Sequence, residues 1–109
     1  MLGELRAAPG ATVVTLHGEL DILTVEELRG LMDAALGERT RHVVVDLTDV
    51  PFVDILSLSV ILASADAMRE RGDALTVAGA SGAVRRICAL LNATDVLAPP
   101  LPTPRVALG

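Results

Sequence analysis

The 109-residue sequence predicts a mixed α/β fold: elements in the order ββαβαβα around a sheet of four or five strands. Three observations carry this expectation. Short β-branched runs alternate with segments of helical periodicity, and Pro9-Gly10 joins the first two runs as a hairpin. From there on each strand is separated from the next by a helix, the spacing of parallel strands joined by right-handed crossovers. With 51% hydrophobic residues, the chain is enough for one compact domain and too short for two.

The elements follow in order. LGELRAA alternates weakly as a first strand, and TVVTLHGEL, Thr12 to Leu20, forms a second after the turn. TVEE places Thr24 as an N-cap with Glu27 three residues on, a capping box, and Leu28, Leu31, Met32 and Ala35 share one helical face up to Gly37. RHVVVDL, Arg41 to Leu47, has the continuous apolar pattern of a central strand buried on both faces. After TDVPF, a second helix turns Leu58, Ile61, Leu62, Ala65 and Met68 inward and Asp66, Arg69 and Glu70 outward, ending at Arg71-Gly72. ALTVAGA, Ala74 to Ala80, is a further strand. Ser81 caps a third helix running through Val84, Ile87, Cys88 and Leu91, and Asn92 breaks it. Residues 1–97 are expected to form the domain, and 98–109, APPLPTPRVALG, an extended or loosely ordered proline-rich tail.

Composition excludes several functions. A net charge of -5 repels the phosphate backbone, so nucleic-acid binding is not expected. No apolar run approaches the ~18–20 residues of a membrane span, and MLGELRAAPG lacks a targeting pattern, so a soluble cytoplasmic protein is expected. All nine basic residues are arginine. Without lysine there is no P-loop, no response-regulator receiver site and no Schiff-base nucleophile. Trp and Tyr are absent and Phe52 is the one aromatic residue, which leaves no stacking platform for bases or sugars. The single cysteine, Cys88, lies in an apolar helical pattern and reads as a buried reduced thiol.

No constellation of catalytic groups emerges. His17 and His42 sit in or beside strands without metal-ligand spacing, and neither a metal nor a cofactor is expected. Gly79-Ala80-Ser81-Gly82 lies between a strand and a helix, where amides can meet an anion, but a tight turn explains it as well. Glu19, Asp21, Asp46, Asp49 and Asp54 fall near strand ends, yet spacing alone does not bring them together. The chain is not expected to be an enzyme.

One combination of motifs is specific. GELD at Gly18–Asp21, VVVDL at Val43–Leu47, Phe52-x-Asp54, the R-x-x-G that ends the second helix before a strand, and the AVRR helix occur in an order and spacing that resemble the STAS domain. Within that family the chain is similar to the small stand-alone anti-sigma factor antagonists, over residues 4 to 97. The resemblance implies a STAS-like mixed sheet and a protein-binding regulatory module whose partner is a kinase-type anti-sigma factor. In the family the aspartate is followed by Ser, by Ser or Thr, and by Gly at the start of a helix. The first hydroxyl is phosphorylated by the partner, and the unphosphorylated form binds it and frees the sigma factor. A phosphate there meets free amides and the positive end of the helix dipole and alters a binding surface.

This chain departs from that pattern, with Ile55, Leu56 and Ser57 following Asp54. Three readings follow: a binding module that has lost its switch and presents Ile55 and Leu56 as an apolar contact; an acceptor moved to Ser57 or Ser59; or a helix merely stapled to the sheet by its first residues. Asp21 and Asp54 match acidic positions flanking the family's partner site and are candidate interface residues, with turn-forming or helix-capping aspartate as the other reading. The resemblance also admits an accessory subunit of an ABC-type lipid transport system. A homodimer stays open.

Overall fold

The computed structural model describes residues 2–38 and 40–98. It contains one four-stranded sheet in the order β1-β2-β3-β4. β1 (Gly3–Ala8) and β2 (Ala11–His17) pair antiparallel across Pro9-Gly10, β2 and β3 (His42–Asp49) pair parallel, and β3 pairs parallel with β4 (Ala74–Ala78). Gly10 has φ of 74°, so with proline ahead of it the turn takes the type II pattern, in which the second central residue must be left-handed. The expected ββαβαβα order is present, followed by a short 3-10 turn, Thr94–Val96, that sequence periodicity did not announce.

The helices are α1 (Val25–Gly37), α2 (Ile55–Glu70) and α3 (Gly82–Leu90). Strand order rises uniformly from β2 to β4, and right-handed crossovers then place α1 and α2 over the same face. That face holds Val14, Leu16, Val43, Val45, Leu47 and Val77, all buried with Leu28 and Met32 of α1 and Leu58, Ile61 and Met68 of α2. Each such side chain contributes roughly 1.5–3 kcal/mol on leaving water. The same topology corrects the expectation that β3 is buried on both sides. Val44 and Asp46 are only half-buried on the opposite face, where they line an open groove of about 580 Å³ together with Arg6, Val13, Ala78 and Arg85.

Other corrections have local causes. β2 ends at His17 rather than Leu20 because Gly18 turns the backbone to φ of 83°. β3 begins at His42 and runs on to Asp49 with an irregularity opposite Thr15–His17. β4 stops at Ala78 because Gly79 has φ of 71°. The capping box at Thr24 does not form. Thr24 flanks α1, but its hydroxyl accepts the Asp21 amide and bonds back to the Glu19 carbonyl, while the Glu27 carboxylate accepts the amide of Leu2, the residue before β1. Leu91, expected in the third helix, lies past its end and is exposed. Leu97 makes an isolated parallel bridge to Val77, and residues 99–109 of the expected tail lie outside the described residues.

Candidate functional site

The carboxyl ends of the parallel strands β2 and β3 open into two loops, the position where open α/β sheets place their binding surfaces. Leu20, buried, bridges in parallel to Val53, also buried. The bridge is built from two bonds: the Leu20 amide donates to the Phe52 carbonyl at 2.9 Å, and the Asp54 amide donates to the Leu20 carbonyl at 2.9 Å. Leu20 thereby fixes the entry of α1 beside the entry of α2.

Each entry has its own polar lock. In the first loop, the Asp21 carboxylate accepts the Leu23 amide at 2.9 Å, and the Asp21 carbonyl accepts the Thr24 amide at 3.1 Å. This aspartate turn mimics a backbone turn and holds the loop before α1. In the second, Asp54 is the N-cap of α2, and its carboxylate accepts the Ser57 amide at 2.7 Å. A cap of this kind satisfies one of the four amides a helix start leaves open. Both aspartates have the local roles that sequence left as one of two readings.

Between these locks the surface is apolar. Ile22 is 67% exposed, Leu23 89% and Ile55 61%, with Phe52 and Leu56 also exposed. Large aliphatic groups so far out of the core forgo the free energy gained on leaving water unless something covers them. Ile55 and Leu56 were legible as an apolar step at the helix start. Ile22, Leu23 and Phe52 were not singled out as site residues, although two consecutive large aliphatics in an Asp-Ile-Leu-Thr turn were a usable signal.

The two candidate hydroxyls have opposite fates. Ser57 is fully buried, and its Oγ has no hydrogen-bond partner among the described residues. Ser59 is exposed, with its hydroxyl donating to the Ile55 carbonyl at 2.8 Å, one helical turn back. The Ile55 side chain, between the Asp54 cap and these two serines, carries no hydroxyl.

His17 is exposed at the end of β2, and His42 Nε2 lies 2.8 Å from Thr76 Oγ1 across the β3–β4 pair. Gly79 presses against Thr48, and Ser81 caps α3 by accepting the Val84 amide at 3.3 Å, so the Gly79–Gly82 segment is a tight turn into a helix. Asp46 accepts the amide and hydroxyl of Thr48 at 2.9 and 2.6 Å. Burial raises the pKa of the Cys88 thiol, with Arg85 opposing the shift, which leaves the thiol protonated and unreactive near neutrality. Among the described residues no group of three or more His, Cys, Asp or Glu side chains is placed to hold a metal, and no helix is long and apolar enough to cross a membrane.

Comparison with known proteins gives the family and the fold. The family described as "Mlab, STAS domain" matches residues 4–99, and the chain belongs to the STAS-domain family. It is 32% identical over 85 residues to an anti-sigma F factor antagonist of Paenibacillus polymyxa, covering 77% of this chain and 73% of that relative. A solved anti-sigma factor antagonist from Mycobacterium paratuberculosis superposes with a TM-score of 0.78 at 24% identity, over 94% of this chain and 86% of that one. The anti-sigma factor antagonist SpoIIAA in its unphosphorylated form superposes with a TM-score of 0.75 at 17% identity, over 88% and 85%. The fold is that of an anti-sigma factor antagonist-like STAS domain.

Proposed function

We propose that this protein binds a kinase-type anti-sigma factor through the apolar surface at the starts of α1 and α2, and that it does so without a phosphorylation switch. Ile55 and Leu56 are the central contacts, Ile22, Leu23 and Phe52 extend them, and Asp21 and Asp54 hold both loops in place. The single observation that carries the proposal is the exposed Ile55 beside the fully buried Ser57. A kinase reaching for the start of α2 finds a side chain with no oxygen and, two residues on, a hydroxyl sealed beneath the helix. The exposed aliphatics give a partner the desolvated anchors that dominate binding energy in protein interfaces. Names of the relatives, anti-sigma factor antagonists, support the class of partner.

The test is calorimetric titration of the purified protein into the purified kinase-type anti-sigma factor of the same organism, with and without ATP, followed by intact-mass measurement. Equal binding in both conditions and an unmodified mass are expected. Loss of binding in ATP accompanied by one added phosphate overturns the lost switch. No binding to the anti-sigma factor, with saturable binding to the ATPase subunit of a lipid transporter, overturns the choice of partner.

A further inference from the structure

β1 is an edge strand, paired with β2 on one side and with no described strand on the other. Proteins usually blunt such an edge with charged side chains, proline, a bulge or an inward-pointing charge. Gly3–Ala8, GELRAA, has no proline, bulge or inward-pointing charge and pairs with β2 in unbroken register, so only its two charged side chains guard the edge. Its two charges are of opposite sign, two residues apart, and both exposed: Glu4 and Arg6. They sit on one face of the sheet because alternate residues of a strand point the same way. Neither is held in a salt bridge among the described residues.

The direction of the peptide groups follows from the hairpin. In a two-residue hairpin the residues flanking the turn, here Ala8 and Ala11, are a hydrogen-bonded pair, and the pattern then alternates along the strands. The His17 amide donating to the Leu2 carbonyl at 2.9 Å fits the same phase at the far end. Residues Glu4, Arg6 and Ala8 therefore direct their amides and carbonyls to β2. Gly3, Leu5 and Ala7 direct theirs outward, to the free edge.

We propose that this edge pairs with the same edge of a second copy, antiparallel and centred on Leu5, to give a continuous eight-stranded sheet across a two-fold axis. In this register Leu5 faces Leu5 of the second copy as a hydrogen-bonded pair, and Gly3 faces Ala7 as another. Glu4 then faces Arg6 at the non-hydrogen-bonded positions, where strands bring opposed side chains closest. The two-fold axis repeats that ion pair on its other side, so one strand sequence supplies both halves of the complementarity. Slipping the register by two residues removes both ion pairs and sets Glu4 against Glu4 or Arg6 against Arg6, which makes this arrangement the favoured one. Edge-to-edge contact buries little surface, and the association is weak and concentration-dependent. It uses none of the residues of the apolar surface around Ile55, so it stands or falls independently of the proposed anti-sigma factor binding.

Charge reversal tests it. Sedimentation velocity of the wild type from micromolar to millimolar concentration is expected to show a monomer–dimer equilibrium that weakens with added salt. Glu4→Arg alone and Arg6→Glu alone place like charges opposite each other and are expected to weaken self-association about tenfold. An equimolar mixture of these two variants is expected to form heterodimers, and the double variant Glu4→Arg/Arg6→Glu to associate as the wild type does. Both positions are exposed, so circular dichroism should be unchanged. A wild type that stays monomeric throughout overturns the proposal. So do single variants that dimerise as tightly as the wild type, or a mixture that associates no better than its components.

Discussion

The Asp54 carboxylate caps α2 by accepting the Ser57 amide, while the hydroxyl of the same Ser57 lies buried without a partner. One residue is thus tied to the helix start through its backbone and held at a loss through its side chain. An unpaired hydroxyl in the core costs about 1–3 kcal/mol relative to one bonded to water.

Ser57→Ala removes that hydroxyl and is expected to stabilise the protein by about 1 kcal/mol. For a domain of this size the gain corresponds to a rise in Tm of roughly 4–8 °C. Urea denaturation with an unchanged m-value checks it. A loss of stability would mean that the hydroxyl has a partner in solution.

Asp54→Ala removes the cap and leaves intact the hydrogen bond that the residue-54 amide donates to the Leu20 carbonyl. The expected cost is about 1 kcal/mol, with the first turn of α2 losing order before the rest of the helix. Asp54→Asn retains an acceptor and should recover most of it.

Ile55→Ser returns an exposed hydroxyl to the position that lacks one. The proposed function expects this variant, unlike the wild type, to take up one phosphate from a kinase-type anti-sigma factor and ATP, and to lose partner affinity as it does so. Ile55→Asp is expected to weaken binding at least tenfold without phosphorylation, since a charge then faces the partner's apolar contact. Intact mass and titration calorimetry read both effects, and thermal melts should show little change because the side chain is exposed.

Gly79→Ala is expected to destabilise the domain by about 2–4 kcal/mol. The backbone there has φ of 71°, and a Cβ would come within 2.3 Å of Thr48 Oγ1 and 2.8 Å of Thr48 N. Left-handed strain and overpacking against backbone both contribute.

Burial holds the Cys88 thiol above its ordinary value of 9.0. The folded state keeps a proton that the unfolded chain releases, so the group's contribution to stability is complete below pH 9 and is lost as pH rises through the folded-state value. The urea midpoint is expected to fall above pH 9, less steeply in Cys88→Ala. Thiol-specific reagents should react with the folded wild type only slowly.

Much of this architecture was legible because it is written locally. Pro9-Gly10 marks a turn, Ser81 marks a helix start, and the Leu58, Ile61, Ala65, Met68 spacing marks a buried helical face. These signals need only neighbouring residues. What escaped depends on partners distant in sequence. Glu27 looked like half of a capping box, but Leu2 arrives from 25 residues away and takes its carboxylate. Val44 and Asp46 looked like the second buried face of a central strand, and only the shared side of two crossovers leaves that face open. The site was legible in kind at Ile55 and Leu56. That Ser57 points into the core required the rotational setting of α2 on the sheet, which its apolar pattern defines only to within a residue.

The bridge between Leu20 and Val53 carries strand-like bonding past the point where β2 and β3 end. The amides of Leu20 and Asp54 are therefore expected to exchange with deuterium as slowly as those of the strands, an island of protection inside two loops. A surface so braced has little freedom to lose when a partner arrives. Its association should proceed as near-rigid docking, with a negative heat-capacity change from the covered aliphatics and little sign of a segment folding on contact.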